Sequence, residues 1–408
     1  MILKGNAIVG QSGGPTSAIN ATLSGVIRGC HKSEEISKLY GMGNGIEGFL
    51  NEDIIDLSYL FGDEDKLALL ELTPSSALGS CRRKLPPLEN KNEIYDKIFT
   101  LFKKYDIRYF FYIGGNDSMD TVLKLSKYAN SIDYDIRIMG VPKTIDNDLV
   151  LTDHTPGFGS AAKFIATTIK EIACDCSVYK IKAVTIVEMM GRDAGWLTAA
   201  AALPKYYDGL GADLIYLPEF FFEDDKFISS VNEQLKTHPN VVVAVSEGIR
   251  YENGTYVGEG KQSGATDAFG HKYLAGTAKY LEMLVREKIG CKVRSVELNL
   301  PQRCSAHIAS ATDIDESVAI GKSAVEFALD GKSGKMPIFV RQSGEYSVKI
   351  ECADVNEIAN KVKFVPKEFI NEEGNNVTKE CIEYITPLII GEKTKKYENG
   401  MPVHLCLK

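Results

Sequence analysis

The sequence predicts an α/β fold, with mostly parallel sheets covered by helices on both faces. Short runs rich in β-branched residues alternate along the chain with segments of helical periodicity. Turns rich in glycine or aspartate separate the two kinds of segment. Strands that alternate with helices form parallel sheets, because each helix carries the chain back across a face of the sheet. At 408 residues the chain has the length of two or three ordinary domains.

The predicted elements follow from these runs in chain order. The predicted strands are residues 6–10, 109–113, 137–141, 184–187, 241–246 and 293–298. The predicted helices, in which apolar residues recur at helical spacing, are residues 17–29, 119–128, 271–287 and 314–328. The pairs Asn253-Gly254 and Asn399-Gly400 predict hairpin turns. In parallel sheets ligands bind outside the carboxyl ends of the strands, so polar motifs that directly follow strands are candidates for a site.

Composition and charge exclude several classes of function. Apolar residues make up 44% of the chain and charged residues 25%, as in soluble globular proteins. The net charge of −8 argues against a protein that binds nucleic acid or membrane surfaces through a basic face. The sequence lacks a signal-peptide pattern and an apolar run long enough to cross a membrane. These observations predict a cytoplasmic protein.

Two glycine pairs follow predicted strands and precede predicted helices. Gly13 and Gly14 stand in QSGGP, and Gly114 and Gly115 stand in IGGNDS. In such turns backbone N–H groups can approach a phosphate, and the helix N-terminus adds partial positive charge. Two such loops in one parallel sheet could share a polyphosphate. Each pair could instead serve only a tight turn or a helix cap.

The motif PKTIDND at 142–148 is the densest polar cluster that follows a strand. Asp146 can take a proton from an alcohol that attacks phosphorus. Lys143 can offset charge on the transferring group. The two carboxylates, Asp146 and Asp148, could alternatively hold a metal ion or cap the next helix.

Arginine residues supply candidate anchors for a sugar phosphate. Arg192 lies in EMMGRDAGW at a junction between strand and helix, where a guanidinium can bind phosphate in a bidentate manner. Arg294 and Arg303 bracket RSVELNLPQR, and Glu247 follows another predicted strand. Arginine beside a carboxylate suits a phosphorylated sugar, because the carboxylate can accept hydrogen bonds from hydroxyl groups. Trp196 is predicted to lie in the core.

The chain resembles the phosphofructokinases. The motifs GQSGGPTSAIN, IGGNDSMDT, PKTIDND, EMMGRDAGW, SEGI and RSVELNLPQR occur in the order found in that family, between residue 6 and about residue 315. The resemblance implies two similar three-layer α/β domains with mostly parallel sheets and an active site between them. The expected domains are 1–157, completed by about 302–350, and 158–301, with residues 351–408 unassigned.

The resemblance also implies roles for individual residues. Asp146 would take the proton from the 1-hydroxyl of fructose 6-phosphate, with Lys143, Asp117 and Arg82 as the other catalytic residues. Gly13 and Gly14 would lie under the donor diphosphate. The residues expected to hold fructose 6-phosphate are Thr144, Asp148, Met190, Gly191, Arg192, Glu247, Arg294 and Arg303.

Two positions predict the phosphoryl donor. Members that use ATP resemble GGDGS and PGTIDND, whereas members that use pyrophosphate resemble GGDDS and PKTIDND. Here Asp117 and Lys143 replace the two glycines. The carboxylate of Asp117 would repel and fill the space of a nucleotide α-phosphate, and Lys143 would stabilise the leaving phosphate. The expected reaction is reversible, because pyrophosphate and fructose 1,6-bisphosphate have similar phosphoryl-transfer potential.

The sequence departs from the family pattern at several positions. Asn116 stands where the family has an aspartate associated with Mg²⁺, so the expected metal contact is an uncharged amide oxygen. Leu300, at the expected sugar-phosphate site, replaces a histidine of the ATP-type members. Cys304 replaces a glycine. Near Lys182 the usual arginine from a neighbouring subunit has no certain counterpart, although a homo-oligomer, a dimer or tetramer, is expected.

Alternative functions remain open at this point. The first is a phosphofructokinase that uses ATP. The second is an NAD-dependent oxidoreductase that uses Gly43, Gly45 and Gly48, although these follow a possible strand at 36–40 instead of the first strand, and no clean helix opens at Gly48. The third is a non-catalytic sensor of sugar phosphates on the same fold; Asp146 argues against it, because a protein that only binds needs no base.

Overall fold

A computed structural model describes residues 3–88, 93–259 and 276–407. The strands are β1 (Gly5–Gln11), β2 (Ile36–Met42), β3 (Ile54–Asp56), β4 (Ile107–Gly114), β5 (Arg137–Pro142), β6 (Ala183–Met189), β7 (Leu214–Tyr216), β8 (Asn240–Ser246), β9 (Lys292–Glu297), β10 (Lys335–Arg341), β11 (Val348–Asp354), β12 (Tyr397–Glu398) and β13 (Met401–Pro402). The helices are α1 (Ile19–His31), α2 (Gly45–Leu50), α3 (Glu64–Glu71), α4 (Glu93–Lys104), α5 (Asn116–Ser131), α6 (Phe158–Ser177), α7 (Trp196–Ala199), α8 (Leu203–Asp208), α9 (Asp224–Thr237), α10 (Thr277–Lys288), α11 (Pro301–Cys304), α12 (Ala311–Leu329) and α13 (Lys379–Ile385).

The first sheet has seven strands in the order β11-β10-β5-β4-β1-β2-β3. Its five central strands are parallel, and the two outer strands, β11 and β3, run antiparallel to their neighbours. Alternate residues of β4 face opposite sides: Tyr109 and Phe111 pack toward α1 and α12, whereas Phe110 and Tyr112 pack toward α4. Both faces are apolar because both are covered by helices, which makes three layers.

The second sheet has four parallel strands in the order β7-β8-β6-β9. Val187 of β6 and Ala244 of β8 pack against α6 and α7 on one face. Ile186 and Val243 pack against α9 and α10 on the other face. This sheet therefore repeats the three-layer arrangement of the first, and we propose the two sheets as the centres of the two domains.

Helices α1 and α12 pack closely on one face of the seven-stranded sheet. A side chain at Gly25 of α1 would overlap the Val318 carbonyl, and one at Gly321 of α12 would overlap the Thr22 carbonyl. Glycine at both positions allows the two helix backbones to touch. The segment that returns after β9 is thus fixed on the sheet that begins the chain.

The C-terminal segment packs against both halves of the chain. β10 and β11 extend the seven-stranded sheet. Beyond them, Val365, Cys381 and Ile385 belong to the core of the four-stranded sheet, together with α6 and Trp196. Trp196 is 2% exposed, which confirms its predicted place in the core.

The predicted strands and helices are present within the described residues, and most of their bounds differ from the predicted ones by up to three residues. The start of the predicted helix 271–287 lies outside the described residues; its described part, α10, begins at Thr277. Both predicted hairpin turns are confirmed, since Arg250 bridges Tyr256 and β12 pairs with β13. Within the described ranges, every helix is too short or too polar to cross a membrane.

No helix opens at Gly48, as the sequence indicated. The short helix α2 begins earlier, at Gly45, and contains Gly48. Asn44 adopts a left-handed φ of 55°, and a side chain at Gly48 would overlap the Gly43 carbonyl. The tight turn itself therefore requires these glycines, with no need for a bound dinucleotide to explain them. This geometry speaks against an oxidoreductase site here.

Candidate active site

The loops after β1 and β4 lie side by side at the carboxyl edge of the seven-stranded sheet. The Ser12 N–H donates to the Ile113 carbonyl at 2.9 Å, which holds the end of β1 beside β4. The Gly13 N–H donates to the Cys81 carbonyl at 3.1 Å, and the Ser80 hydroxyl donates to the Gly13 carbonyl at 2.7 Å. Gly13 has φ 76°, where glycine is favoured. The glycine loop is therefore a tight turn held by the segment that precedes Arg82.

Positive side chains gather beside this loop. The ammonium of Lys143, which is buried, donates to the Gly14 carbonyl at 2.6 Å. A Cβ atom on Gly14 would lie 3.0 Å from Arg303 Nη1 and 3.9 Å from Arg82 Nη2, so glycine leaves room for both guanidinium groups. Burial, and next the charge of Arg82, lower the pKa of Arg303. An anion between these cations would relieve their repulsion, so the loop is suited to a polyphosphate.

Lys143 lies between the donor loop and the carboxylates. Its N–H donates to the Gly114 carbonyl at 3.0 Å, which fixes the residue beside the loop after β4. Burial lowers the pKa of Lys143 to about 8, and the charges of Asp146 and Asp148 act in the opposite direction. An anion bound beside the ammonium would therefore stabilise its protonated form further.

Asp117 pairs with a lysine that the sequence analysis did not single out. Asp117 lies in the first turn of α5, and its Oδ1 is 3.0 Å from the Nζ of Lys84. The residue at the helix cap is Gly115, with no side-chain cap, so neither Asp117 nor Ser118 fills that role. Lys84 lies two residues after Arg82, a predicted donor-side residue, and this closeness in sequence is the feature that could have indicated its role.

Asp146 and Asp148 lie together on the loop after β5. Burial, and next the charge of Asp148, raise the pKa of Asp146; burial also raises the pKa of Asp148. The Asp146 N–H donates to the Thr144 hydroxyl at 3.1 Å. Asn147, between them, has a left-handed φ of 54° that bends the loop so that it returns toward the sheet. A carboxylate with a raised pKa is a better proton acceptor, which suits a general base.

The residues Met190, Gly191 and Arg192 follow β6, at the carboxyl edge of the four-stranded sheet. The Met190 N–H donates to the side chain of Gln302 at 3.1 Å. The Gly191 N–H donates to Glu247 Oε1 at 3.3 Å, and Gly191 has φ 132°. Burial raises the pKa of Glu247 to about 8, and the charge of Asp146 adds to that effect.

The two carboxyl edges therefore face a common region. The carboxylates of Glu247 and Asp146 lie close enough for their charges to interact. The charge of Arg192 acts on Asp146 in the opposite direction and favours its ionised form. Residues from both sheets thus shape the electrostatics of one carboxylate.

Two predicted sugar-phosphate residues are exposed in the single chain. Arg294 is exposed on β9, and it lines a shallow pocket with Asp175 and Tyr179. Leu300 is 56% exposed just before α11. Arg303, three residues further along, does lie beside the donor loop.

Asn116 presents an atom that could contact a metal ion. Its Nδ2 donates to Asp148 Oδ2 at 3.4 Å, whereas its buried Oδ1 has no hydrogen-bond partner among the described residues. In the same described ranges, no group of three or more His, Cys, Asp or Glu side chains could hold a metal. This donor set fits Mg²⁺, which keeps several waters and takes ligands from substrate phosphates.

Comparison with known proteins identifies the family. The family model described as phosphofructokinase matches residues 6–328. The chain belongs to the phosphofructokinase family. A protein of Halomonas elongata named pyrophosphate–fructose 6-phosphate 1-phosphotransferase is 43% identical, over 97% of this chain and 94% of that protein. A protein of the same name from Methylococcus capsulatus is 40% identical, over 98% and 96%.

Solved structures agree with this assignment. The pyrophosphate-dependent phosphofructokinase of Nitrosospira multiformis has a TM-score of 0.88 and 37% identity, over 98% of this chain and 95% of that chain. The predicted class, two similar α/β domains with mostly parallel sheets, is confirmed for this phosphofructokinase.

Proposed function

We propose that this phosphofructokinase transfers a phosphoryl group from pyrophosphate to the 1-hydroxyl of fructose 6-phosphate. The products are fructose 1,6-bisphosphate and phosphate, and the reaction runs in both directions. The observation that carries the proposal is that Lys143 and Asp146 interact through their charges after β5, while Asp117 follows the neighbouring parallel strand β4. The names of the Halomonas and Methylococcus relatives support the same donor.

Donor choice follows from the charges around the glycine loop. Lys143, Arg82 and Arg303 can bind the phosphates of a diphosphate that lies on Gly13 and Gly14. Lys143 would offset the negative charge that develops on the leaving phosphate. A nucleotide would bring a further phosphate toward Asp117, whose carboxylate is fixed by Lys84, and like charges there would disfavour ATP.

Transfer needs a base on the sugar side. Asp146 accepts the proton of the 1-hydroxyl while that oxygen bonds to phosphorus and the bridging P–O bond of pyrophosphate breaks. In the reverse direction the same carboxyl group returns the proton. The residues proposed to bind fructose 6-phosphate are Thr144, Asp148, Met190, Gly191, Arg192, Glu247, Arg294, Leu300 and Arg303.

We further propose Mg²⁺ as the cofactor, contacted by Asn116 through its Oδ1 or a bound water. When bound, the ion neutralises phosphate charge during transfer. Asn116 brings no negative charge of its own, so the substrate phosphates would supply most of the binding energy. Asp148, which accepts a hydrogen bond from Asn116, keeps that amide oriented.

We propose that the enzyme is a homo-oligomer. Arg294 is exposed on β9, an outer strand of the four-stranded sheet. Beside it the pocket includes Tyr179 and Ile181, and Val178, Tyr179 and Ile181 are exposed apolar residues. A second copy that covered this surface could use Arg294 at its own sugar-phosphate site.

The proposed function is tested by incubating the protein with fructose 6-phosphate, pyrophosphate and Mg²⁺. Fructose 1,6-bisphosphate is measured by coupling to aldolase, and the reverse reaction is started with phosphate. We expect product in both directions and almost none from Asp146→Asn. Binding of fructose 6-phosphate without turnover by the wild-type protein would contradict the proposal and indicate a sensor.

A further inference from the structure

The C-terminal segment contacts the loop that carries Asp146 and Asp148. Lys363 reaches this loop from beyond β11, in a part of the chain to which the sequence analysis assigned no role. Its ammonium donates to Asn147 Oδ1 at 3.0 Å, to the Thr152 carbonyl at 3.1 Å and to the Asp153 carbonyl at 2.8 Å. All three ammonium hydrogens therefore have acceptors on one loop.

The backbone of Lys363 contacts the same loop. Its N–H donates to the Asp148 carbonyl at 2.7 Å, and its carbonyl accepts from the Trp196 indole at 3.0 Å. The ammonium also lies 5.3 Å from the Trp196 ring, within range of a cation–π contact. One residue thus joins the loop after β5 to α7 of the other half of the chain.

Tyr384 of α13 holds the opposite end of the Asn147 side chain. The Asn147 amide donates to the Tyr384 hydroxyl at 2.9 Å, and that hydroxyl donates to the Asp153 carbonyl at 2.5 Å. Asn147 is fully buried, and its φ of 54° is uncommon for a residue other than glycine. Lys363 donates to the Asn147 amide oxygen and Tyr384 accepts from its amide nitrogen. These two contacts fix the bend of the backbone between the two aspartates.

Electrostatics gives a second link between Lys363 and the aspartates. Burial lowers the pKa of Lys363 to about 7, and the charges of Asp153 and Asp148 oppose that shift. The charge of Lys363 in turn favours the ionised form of Asp148. No carboxylate oxygen accepts directly from the ammonium in the described part of the chain, where its acceptors are one amide and two carbonyl oxygens.

We propose that Lys363, together with Tyr384, is a positioning residue that sets the orientation of Asp146 through Asn147. It does not touch the substrates. This inference rests on the proposed function, because the orientation of Asp146 matters only where that residue acts as the base. A small displacement of a catalytic group can cost a large factor in rate. Loss of the contacts that Lys363 and Tyr384 make with Asn147, which we call the clamp, should therefore lower turnover more than substrate binding.

The test compares Lys363→Met, Tyr384→Phe and the matched control Lys361→Met. Lys361 is an exposed neighbour that pairs with Glu357 at 2.9 Å. We expect Lys363→Met to lower kcat about 10–100-fold, with KM for each substrate changed by less than about 5-fold. Tyr384→Phe should lower kcat by a smaller factor, and Lys361→Met should leave it unchanged. A thermal melt confirms that each variant is folded at the assay temperature.

Amide hydrogen exchange over residues 144–154 provides a readout that does not depend on activity. We expect faster exchange in Lys363→Met and Tyr384→Phe than in Lys361→Met. A folded Lys363→Met with wild-type kcat, or with wild-type exchange in this loop, would overturn the inference. If Lys363→Met fails to fold, the same criteria applied to Tyr384→Phe decide. Absence of pyrophosphate-dependent turnover by the wild type would instead refute the proposed function, and exchange would still test the clamp.

Discussion

The carboxyl edges of the two sheets differ in how much of their predicted chemistry a single chain brings together. At the seven-stranded sheet, Lys143 contacts the glycine loop, and Asp117 pairs with Lys84. At the four-stranded sheet, Glu247 holds the Gly191 N–H, but Arg294 is exposed on an outer strand. The donor side is therefore assembled within one chain, whereas on the sugar side the predicted residue Arg294 is exposed on an outer strand.

This difference separates two kinds of variant. Changes on the donor side should act on the chemistry and the donor within each chain. Changes on the sugar side should act on the affinity for fructose 6-phosphate. The experiments below begin where this separation predicts the largest effect.

Replacement of the base should have the largest effect. Asp146→Asn keeps the size of the side chain but removes its ability to accept a proton. We expect kcat to fall by about 10²–10⁴-fold, with fructose 6-phosphate binding retained. Stopped assays and calorimetry measure the two quantities, and the exposed Asp65→Asn on α3 serves as the control. Unchanged turnover would remove Asp146 from its role.

Loss of the buried lysine on the donor side should come next. Lys143→Gly removes the ammonium beside Gly14, so the leaving phosphate would lose one of the cations at the glycine loop. We expect kcat/KM for pyrophosphate to fall by about 10²–10³-fold. Calorimetric binding of fructose 6-phosphate should change far less. Equal losses for both ligands, in a variant that melts at the wild-type temperature, would contradict the separation of the two sides.

A sugar-side arginine should give the opposite pattern. Arg192→Ala removes a guanidinium that can bind the sugar phosphate, a charged hydrogen bond worth about 1.5–3 kcal/mol. We expect KM for fructose 6-phosphate to rise by roughly 10–100-fold and KM for pyrophosphate to rise less. Arg286→Ala is the control, because this arginine is exposed and its partner Glu282 keeps hydrogen bonds from Lys279 and Ser295. A larger effect on pyrophosphate would mean that the two sites are exchanged.

The smallest expected effect concerns pH. Burial lowers the pKa of Lys143 to about 8, and the protonated form is the one that binds phosphate. kcat/KM for pyrophosphate should therefore decline as pH rises through about 8. Lys143→Arg should remove that decline, because arginine stays protonated. Lys170→Arg, at an exposed lysine paired with Asp208, should keep it. A Lys143→Arg profile identical to that of the wild type would exclude Lys143 as the titrating group.

The sequence was sufficient for the fold class and for the motif-bearing loops because both follow from local patterns. Successive aromatic residues of β4 are buried on opposite faces of the sheet, as its apolar run predicts. Gly13 lies at a turn whose left-handed backbone favours glycine. The family resemblance predicted Arg303 at the sugar-phosphate site, and its placement beside Gly14 of the donor loop depends on a contact between residues far apart in the sequence.

The remaining features depend on long-range contacts that no local pattern records. Lys363 lies in a segment without a motif, and its three acceptors are more than 200 residues away in sequence. Lys84 was missed because a lysine in a loop is usually a solvated surface residue. The helix α2, which begins at Gly45, was not predicted because six residues are too few for helical spacing to be recognised.

The most direct test of the central claim is the ratio of kcat/KM for pyrophosphate to kcat/KM for ATP. Both are measured with the wild-type protein at saturating fructose 6-phosphate and Mg²⁺. We predict a ratio of roughly 100 or more in favour of pyrophosphate, because Asp117 opposes the additional phosphate of a nucleotide. A ratio near one, or one that favours ATP, would contradict the roles proposed for Asp117 and Lys143.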